Sequence, residues 1–452
     1  MVNVFMKITT IIYFLLSSFW SYSQYIEGTV LDTQTNKPIE GVHVFMKGIN
    51  RGTLTNSKGN YHLKFPYKIV KSDTIRFSHV AYGILEIPFI AGKNDYSMYL
   101  LKDVNALKEI KVSNKINLKP SIKFNVLAEM KKGVYSFGSI LKDEHIYVFG
   151  GDASYEEDRF KKLIEFNPEI SFKDFLRKGV NFSKESYSGA IQRYDINNNR
   201  WEKLNIKFRK RAYHNAHLID NKFYILGGKR LSISKKREYL DDKIEVLNLE
   251  TNKIKIDDTN PHQAVDFASC VYKGNIIVMG GSISKNKLGV KQYSNTVHLY
   301  EVNSGFWYHL GNMPVSKETQ GVLVNDKFYL IGGYNKVPLS SIESYNLITG
   351  KWKKEGELFE GVNKPALVNY ENIIYIFDTD KIVTFNILTN ELNQYSIDLN
   401  LKEAKLYYFN HKLYILGGFN KTNYSFYPSR ALYSIDIDEF NKTKIEKSKK
   451  IN

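Results

Sequence analysis

An apolar run closed by two glycines recurs along most of this chain, and no other feature restricts its fold so tightly. It stands at Ile146 to Gly151, Phe223 to Gly228, Ile276 to Gly281, Phe328 to Gly333 and Leu413 to Gly418, with a degenerate copy, Asp-Thr replacing the glycines, at Ile374 to Thr379. Four consecutive apolar residues suit a strand covered on both faces, and a glycine pair admits backbone angles closed to other residues. A second signal follows each copy, a bulky residue and, seven positions on, another: Tyr194 and Trp201, Leu247 and Ile254, Tyr300 and Trp307, Tyr345 and Trp352, Phe385 and Leu392. Turn residues such as Asn197-Asn198-Asn199 and Thr349-Gly350 separate the members, so each pair predicts a hairpin. From each second member the next closing pair begins 25 or 26 residues on, and Phe124 stands 26 residues before Gly150. There are six copies, and Phe124 fills the same slot at the front without a partner.

This order of strand, strand-Gly-Gly, strand-Tyr-Asp and Trp resembles the kelch repeat, in which one copy is one four-stranded blade of a β-propeller. The resemblance covers Ser121 to Asp438. It implies six blades, with the Phe124 strand as outermost strand of the last blade, which protects an edge and ties the two ends together. Thr443 to Lys447 is the competing source of that strand. Kelch propellers include both enzymes and scaffolds, so the resemblance carries a fold and not an activity.

The remainder of the 452 residues sorts around this array. Met1 to Ser23 reads as an export signal: Lys7 precedes the apolar run Ile8 to Trp20, and Ser21-Tyr22-Ser23 supplies the small residues of a cleavage site. That run is short for a membrane span, and no later segment has the composition of one, so the mature chain is expected without a transmembrane segment, in the periplasm or associated with the outer membrane or cell surface. One cysteine, Cys270, excludes an internal disulfide. Between Gln24 and Val112, the segments Gly28 to Asp32, Lys37 to Val44, Gly52 to Leu63 and Ile75 to Gly83 resemble the carboxypeptidase-like regulatory domain, an immunoglobulin-like or prealbumin-like β-sandwich found in exported proteins of the Bacteroidetes. Despite its name that domain is no peptidase. Its His43, His62 and His79 lack ligand spacing, so no metal is expected. The fold class is therefore all-β: a sandwich at 24–112, a polar linker at 113–120, a six-bladed propeller at 121–438 and a basic tail at 439–452, read as a solvated charge run.

Blade one carries the largest insertion, 152–187, with two expected helices. The first opens at Ser154, with Glu157 three residues later as in a capping box, and the second runs from Ser171 through Phe172, Phe175 and Leu176 to Gly179. Lysines and arginines outnumber acids by 64 to 47, a formal charge of +17. In the kelch arrangement the loops after the glycine pairs share one face, which would collect Lys229, Arg230, Lys235, Lys236, Arg237, Lys285, Lys287 and Lys291 together with Arg209, Arg211 and Arg430. Such a face draws anions. Export argues against nucleic acid and for an anionic glycan or protein partner.

Fourteen residues before each closing pair, at the start of the innermost strand, stand Ser136, Tyr213, Asp266, Glu318, Lys364 and Glu403. Carboxylates beside a lysine and a tyrosine at one channel mouth bind sugars or transfer protons. Glu318, Arg211, Asp266 and Glu403 are the catalytic candidates, and Tyr213, His214, Lys229, Arg230, Lys364 and Gln320 the ligand-binding ones. Periplasmic N-acetylneuraminate epimerases are similar in blade number, export and a basic face, which makes a sugar epimerase or mutarotase, using Glu318 with Arg211, the alternative to a binding or scaffold role. Copper radical oxidases match poorly, because Cys270 has no accompanying histidine pair. No cofactor, phosphate loop or nucleophile triad is expected.

Overall fold

The computed structural model describes residues 24–49, 51–65, 73–79, 81–102, 118–178, 181–235, 237–286 and 288–451. The export-signal segment, residues 113–117 of the linker and the segment Leu107 to Val112 lie outside the described residues. The chain divides into two compact units, Met1–Ile116 and Asn117–Asn452.

Among the described residues the first unit is a sandwich of seven strands: β1 (Gln24–Asp32), β2 (His43–Met46), β3 (Arg51–Leu54), β4 (Asn60–Phe65), β5 (Thr74–His79), β6 (Tyr82–Pro88) and β7 (Met98–Leu100). They form two sheets, β4-β1-β7 and β3-β2-β5-β6. Alternation decides what faces inward, as in β4, where Tyr61, Leu63 and Phe65 are buried and Asn60, His62 and Lys64 exposed. Ile26, Val30, Val44, Met46, Ile75 and Phe77 complete the core between the sheets. His62 meets Glu27 at 3.1 Å, an ordinary cross-strand pair.

The second unit is the six-bladed propeller. Blades one to four are antiparallel four-stranded sheets whose innermost strands are Gly138–Lys142, Asn215–Ile219, Ala268–Tyr272 and Glu318–Val324. All five bulky pairs read from the sequence lie directly opposite one another across hairpins, Tyr194 against Trp201 and Tyr345 against Trp352 among them. The rings of Tyr345 and Trp352 are 4.7 Å apart, one reason a tryptophan recurs there. In blade five, Ala366–Tyr370 pairs with the first half of Ile373–Asn386, whose second half pairs with Glu391–Leu401. Thr379, φ +59°, turns the chain between the halves where other blades have glycine and a projecting loop.

The ring closes as the Phe124 slot implies. Beside Phe124, β8 (Asn125–Val126) pairs with Leu432–Asp436 as outermost strand of blade six, and the rings of Phe124 and Tyr433 lie 5.1 Å apart. Tyr407 of blade six hydrogen-bonds Ser139 of blade one across the closure. The competing segment has another place. α3 (Glu439–Lys442) leads into Lys447–Lys450, which adds to the outer edge of blade five through Glu391 to Gln394. The basic tail is therefore not the solvated charge run expected: Lys442, Lys444, Lys447 and Lys450 are exposed, but the backbone of Lys447–Lys450 is paired, Lys449 donates to the Leu358 carbonyl at 3.1 Å and Ile451 is buried against Gly356. A sheet edge offers unpaired backbone groups to any extended segment, and lysines pointing to solvent do not prevent pairing.

The insertion also departs from expectation. α1 (Arg159–Phe166) starts at Asp158, whose carboxylate accepts from the Lys161 N–H, and not at Ser154. Tyr155 to Glu157 instead form a strand that pairs with Phe182–Lys184 and with Ser425 and Phe426 of blade six. α2 (Phe172–Lys178) does begin after Ser171, whose hydroxyl accepts from the Asp174 N–H, while the Phe175 side chain and Gly179 lie outside the described residues.

Candidate functional site

The glycine pairs build the site. In blade two, a Cβ on Gly228, φ +78°, would stand 2.4 Å from the Ala212 carbonyl oxygen. With no Cβ there, Lys229 exchanges two backbone hydrogen bonds with Ala212, at 3.0 and 2.9 Å, and so draws the loop back over the start of its own innermost strand. Equivalent bridges join Tyr135 to Asp152, Val265 to Ser282 and Lys402 to Phe419. The residue after each bridged position, Ser136, Tyr213, Asp266 or Glu403, takes a left-handed φ of +47° to +62°. Non-glycine residues seldom adopt that conformation.

These positions meet at the channel mouth as a collar centred on Lys364. Its ammonium pairs with Asp266 and, at 3.1 Å, with Glu403, donates to Ser136 Oγ at 2.8 Å and lies 5.0 Å from the Tyr213 ring centre. Ser136 in turn donates to Glu403 at 2.7 Å. Burial works against the Lys364 charge, but Asp266 and Glu403 outweigh it and hold the ammonium above the ordinary lysine value. The sixth member, Glu318, accepts from Lys291 at 2.6 Å and from Ser282 at 2.7 Å; burial first, then the Asp266 charge, raise its carboxyl. Tyr213 donates to the buried Asp152 at 3.1 Å and has Lys229 4.4 Å from its ring centre.

Above the collar opens a cavity of about 1110 Å³, with Tyr213, Asp266, Glu318, Lys364 and Glu403 at its floor. Two hairpins form one wall, Lys229–Leu231 with Glu238–Leu240 and Ser282–Lys285 with Lys291–Tyr293. They bring Lys229, Lys235, Lys285 and Lys291 to the cavity. Lys229 is paired with Glu238 at 2.7 Å and Lys291 with Glu318, whereas Lys235 and Lys285 have no ion pair among the described residues. Among the described residues five lysines and five acids line the cavity, so its lining is neutral on balance, and Lys235 and Lys285 are its ammonium groups without an ion pair.

Not every candidate reaches the site. Arg211 is buried, 1% exposed, and pairs with Glu245 at 2.7 Å and Asp241 at 3.3 Å, so it braces blade two and is no partner for Glu318. Burial lowers its pKa, against the pull of those acids. His214 is buried between blades one and two, accepting from the Gly138 N–H at 3.1 Å, and burial pushes its imidazole well below its usual value, to the neutral form. Arg230 stacks over Tyr239 beside the cavity, and Gln320 lines the channel deeper in. Arg209 and Arg430 are paired with Asp241 and Glu129, while Lys236 and Lys287 lie outside the described residues. The linear spacing does not reveal Lys291 as the partner of Glu318, nor the contacts of Asp152, Ser282 and Glu238, since loops from different repeats bring them in. Cys270 is buried in an inner strand, where burial raises its thiol to about 12. His411, Asp436 and Asp438 bring three possible metal-ligand atoms within 4.8 Å, at exposed to half-buried positions away from the cavity.

A sandwich followed by a ring of glycine-pair blades around a polar channel mouth defines a kelch propeller with a carboxypeptidase regulatory-like domain ahead of it. Comparison with known proteins agrees. Residues 26–112 match the CarboxypepD_reg-like domain and residues 320–358 the Kelch motif. The chain is similar to Kelch-like protein 38 of Homo sapiens, 23% identical over 269 residues, 57% of this chain and 44% of that protein. It is similar also to Kelch repeat protein C2 of Vaccinia virus (strain Western Reserve), 27% identical over 212 residues, 44% of this chain and 37% of that protein. The chain thus spans less than half the length of these curated relatives. Among solved structures it resembles YjhT, with a TM-score of 0.50 and 13% identity over 69% of this chain and 99% of that one, a likeness of fold.

Proposed function

We propose that this chain is an exported binding protein of the cell envelope whose channel-mouth cavity takes an acidic glycan. One observation carries the reading: a single cavity joins a floor of carboxylates, an ammonium and a tyrosine to a wall bearing two uncommitted lysines. Sugar hydroxyls both donate and accept, so Asp266, Glu403 and Asn363 at the floor suit them. A sugar carboxylate would find Lys235 and Lys285, each a charge-assisted donor. The export-signal composition of Met1 to Ser23 supports the location.

Glycan arrays followed by calorimetry at low and high salt test this. Acidic oligosaccharides should bind better than neutral ones and weaken with salt. The Lys235→Glu, Lys285→Glu double variant should lose at least about tenfold in affinity, the equivalent of about one charge-assisted hydrogen bond. Equal binding of neutral and acidic glycans, or preference for an acidic peptide, would refute it.

A second reading, a sugar epimerase or mutarotase, has one observation in its favour. Glu318 is a buried carboxyl with a raised pKa, held by Lys291 and Ser282 at the cavity floor, a setting that suits proton transfer. NMR of N-acetylneuraminate anomers decides it: acceleration abolished by Glu318→Gln supports catalysis, and no acceleration removes it.

A further inference from the structure

Two residues past the collar on the innermost strands, the channel changes character. Glu318 gives way to Gln320, Glu403 to Lys405 and Tyr213 to Asn215, and a second chamber of about 170 Å³ opens, far above the ~10–15 Å³ that one water needs. Asn215, His217, Ser269, Gln320, Lys405 and Tyr407 supply its polar lining, and among the described residues no carboxylate lines it. Asn215 donates to Ser269 at 2.7 Å, His217 Nε2 lies 2.8 Å from the same hydroxyl, and Tyr407 is satisfied by Ser139. The half-buried Lys405 ammonium faces the chamber and makes no hydrogen bond or ion pair among the described residues, so its counter-charge has to come from the chamber itself.

We propose that this chamber is a site for a small monoanion, a carboxylate the size of formate or acetate, with the Lys405 ammonium as its counter-ion and the hydroxyls and amides of the channel wall around it. The site is separate from the cavity above the collar and does not depend on a glycan binding there. The charges facing Lys405 fit an anion site. Burial first, then the Lys364 ammonium, bring Lys405 down to about 8, against the weaker opposing pull of Asp266 and Glu403. His217 is pushed down to about 4 by burial and by Lys405, so it is neutral near physiological pH and adds no competing charge. The anion pairs with the protonated amine, so its affinity should be full below the free-amine pKa and fall by about tenfold per pH unit above it.

The probe is formate, titrated at constant ionic strength into the full chain with lysine labelled by ¹³C at Cε. One Cε signal, absent from Lys405→Met, should titrate near pH 8 without formate and move to higher pH when formate saturates. Lys405→Met should lose formate binding, and Lys405→Arg should keep it without the alkaline loss, which serves if the methionine variant fails to fold. Lys222→Ala, at an exposed hairpin position that lines neither cavity, should leave formate binding unchanged. A Lys405 signal unmoved by formate, or equal formate affinity in Lys405→Met, overturns the proposal.

Discussion

Replacing Lys364 by methionine, which keeps the length of the side chain and removes its charge, probes the collar directly. The Lys364 side chain is 12% exposed and those of Asp266 and Glu403 are 13% and 22% exposed, so all three are only partly hydrated. At 3.1 Å the attraction to Glu403 alone is about 5 kcal/mol for an effective dielectric near 20. Desolvation cancels much of this in the native protein, but the variant retains that cost with no cation to offset it. Loss of one partner from a buried pair costs about 3–5 kcal/mol, and the partial solvation of the carboxylates lowers the expectation here to about 2–4 kcal/mol. Removal of all three charges, in Lys364→Met, Asp266→Asn, Glu403→Gln, should restore most of the loss, because a whole buried cluster replaced by neutral groups is near break-even. The folded pKa of Lys364 is raised, so its contribution is complete below the unfolded value of about 10.4 and disappears only as pH rises through the folded one. Near neutral pH the measurement is on that plateau. Urea unfolding followed by tryptophan fluorescence reports on the propeller, since Trp201, Trp307 and Trp352 all lie there and residues 24–112 contain no tryptophan. Equal destabilisation in the single and triple variants would show that the collar contributes packing and not charge, and would refute the reasoning.

Gly228→Ala should cost about 2 kcal/mol or more, from a left-handed backbone together with the collision at the Ala212 carbonyl, read as a lower urea midpoint. Thr379→Gly, where blade five lacks the glycine, should instead change stability by less than about 1 kcal/mol, strain relief being set against the extra freedom of the unfolded chain. Ile451→Ala should cost about 2–4 kcal/mol if the C-terminal strand is part of blade five; a variant as stable as the parent would return that segment to solvent.

Where local chemistry was decisive, the linear reading held. Ser171 caps α2 because an N-cap needs only the amides of the next turn, and Asp174 is one of them. Ser154 and Glu157 carry an equally good local pattern, yet Glu156 and Glu157 pair with residues 425 and 426, a contact about 270 positions distant that no local rule reveals. The site shows the same division. Six collar positions could be aligned because five are tied to a glycine pair, and Lys364 to the equivalent Asp378-Thr379, by one ladder of fixed length. Arg211 stands two residues before Tyr213, as a residue facing the mouth would, but it turns inward to Asp241 and Glu245, 30 and 34 positions on, which take up its charge.

The chain alone determined the blade count and the ring of six positions, because a repeat reports backbone geometry at every copy and turns a weak local preference into a strong collective one, whereas the choice between its two candidate closing strands fell to the pairing of Asn125–Val126 with blade six. Only the tertiary structure decided which charges are free. Coulomb pairing depends on distances between loops of different blades, so it alone separates Lys235 and Lys285 from the paired Lys229 and Lys291, and leaves Lys405 without a partner in the channel.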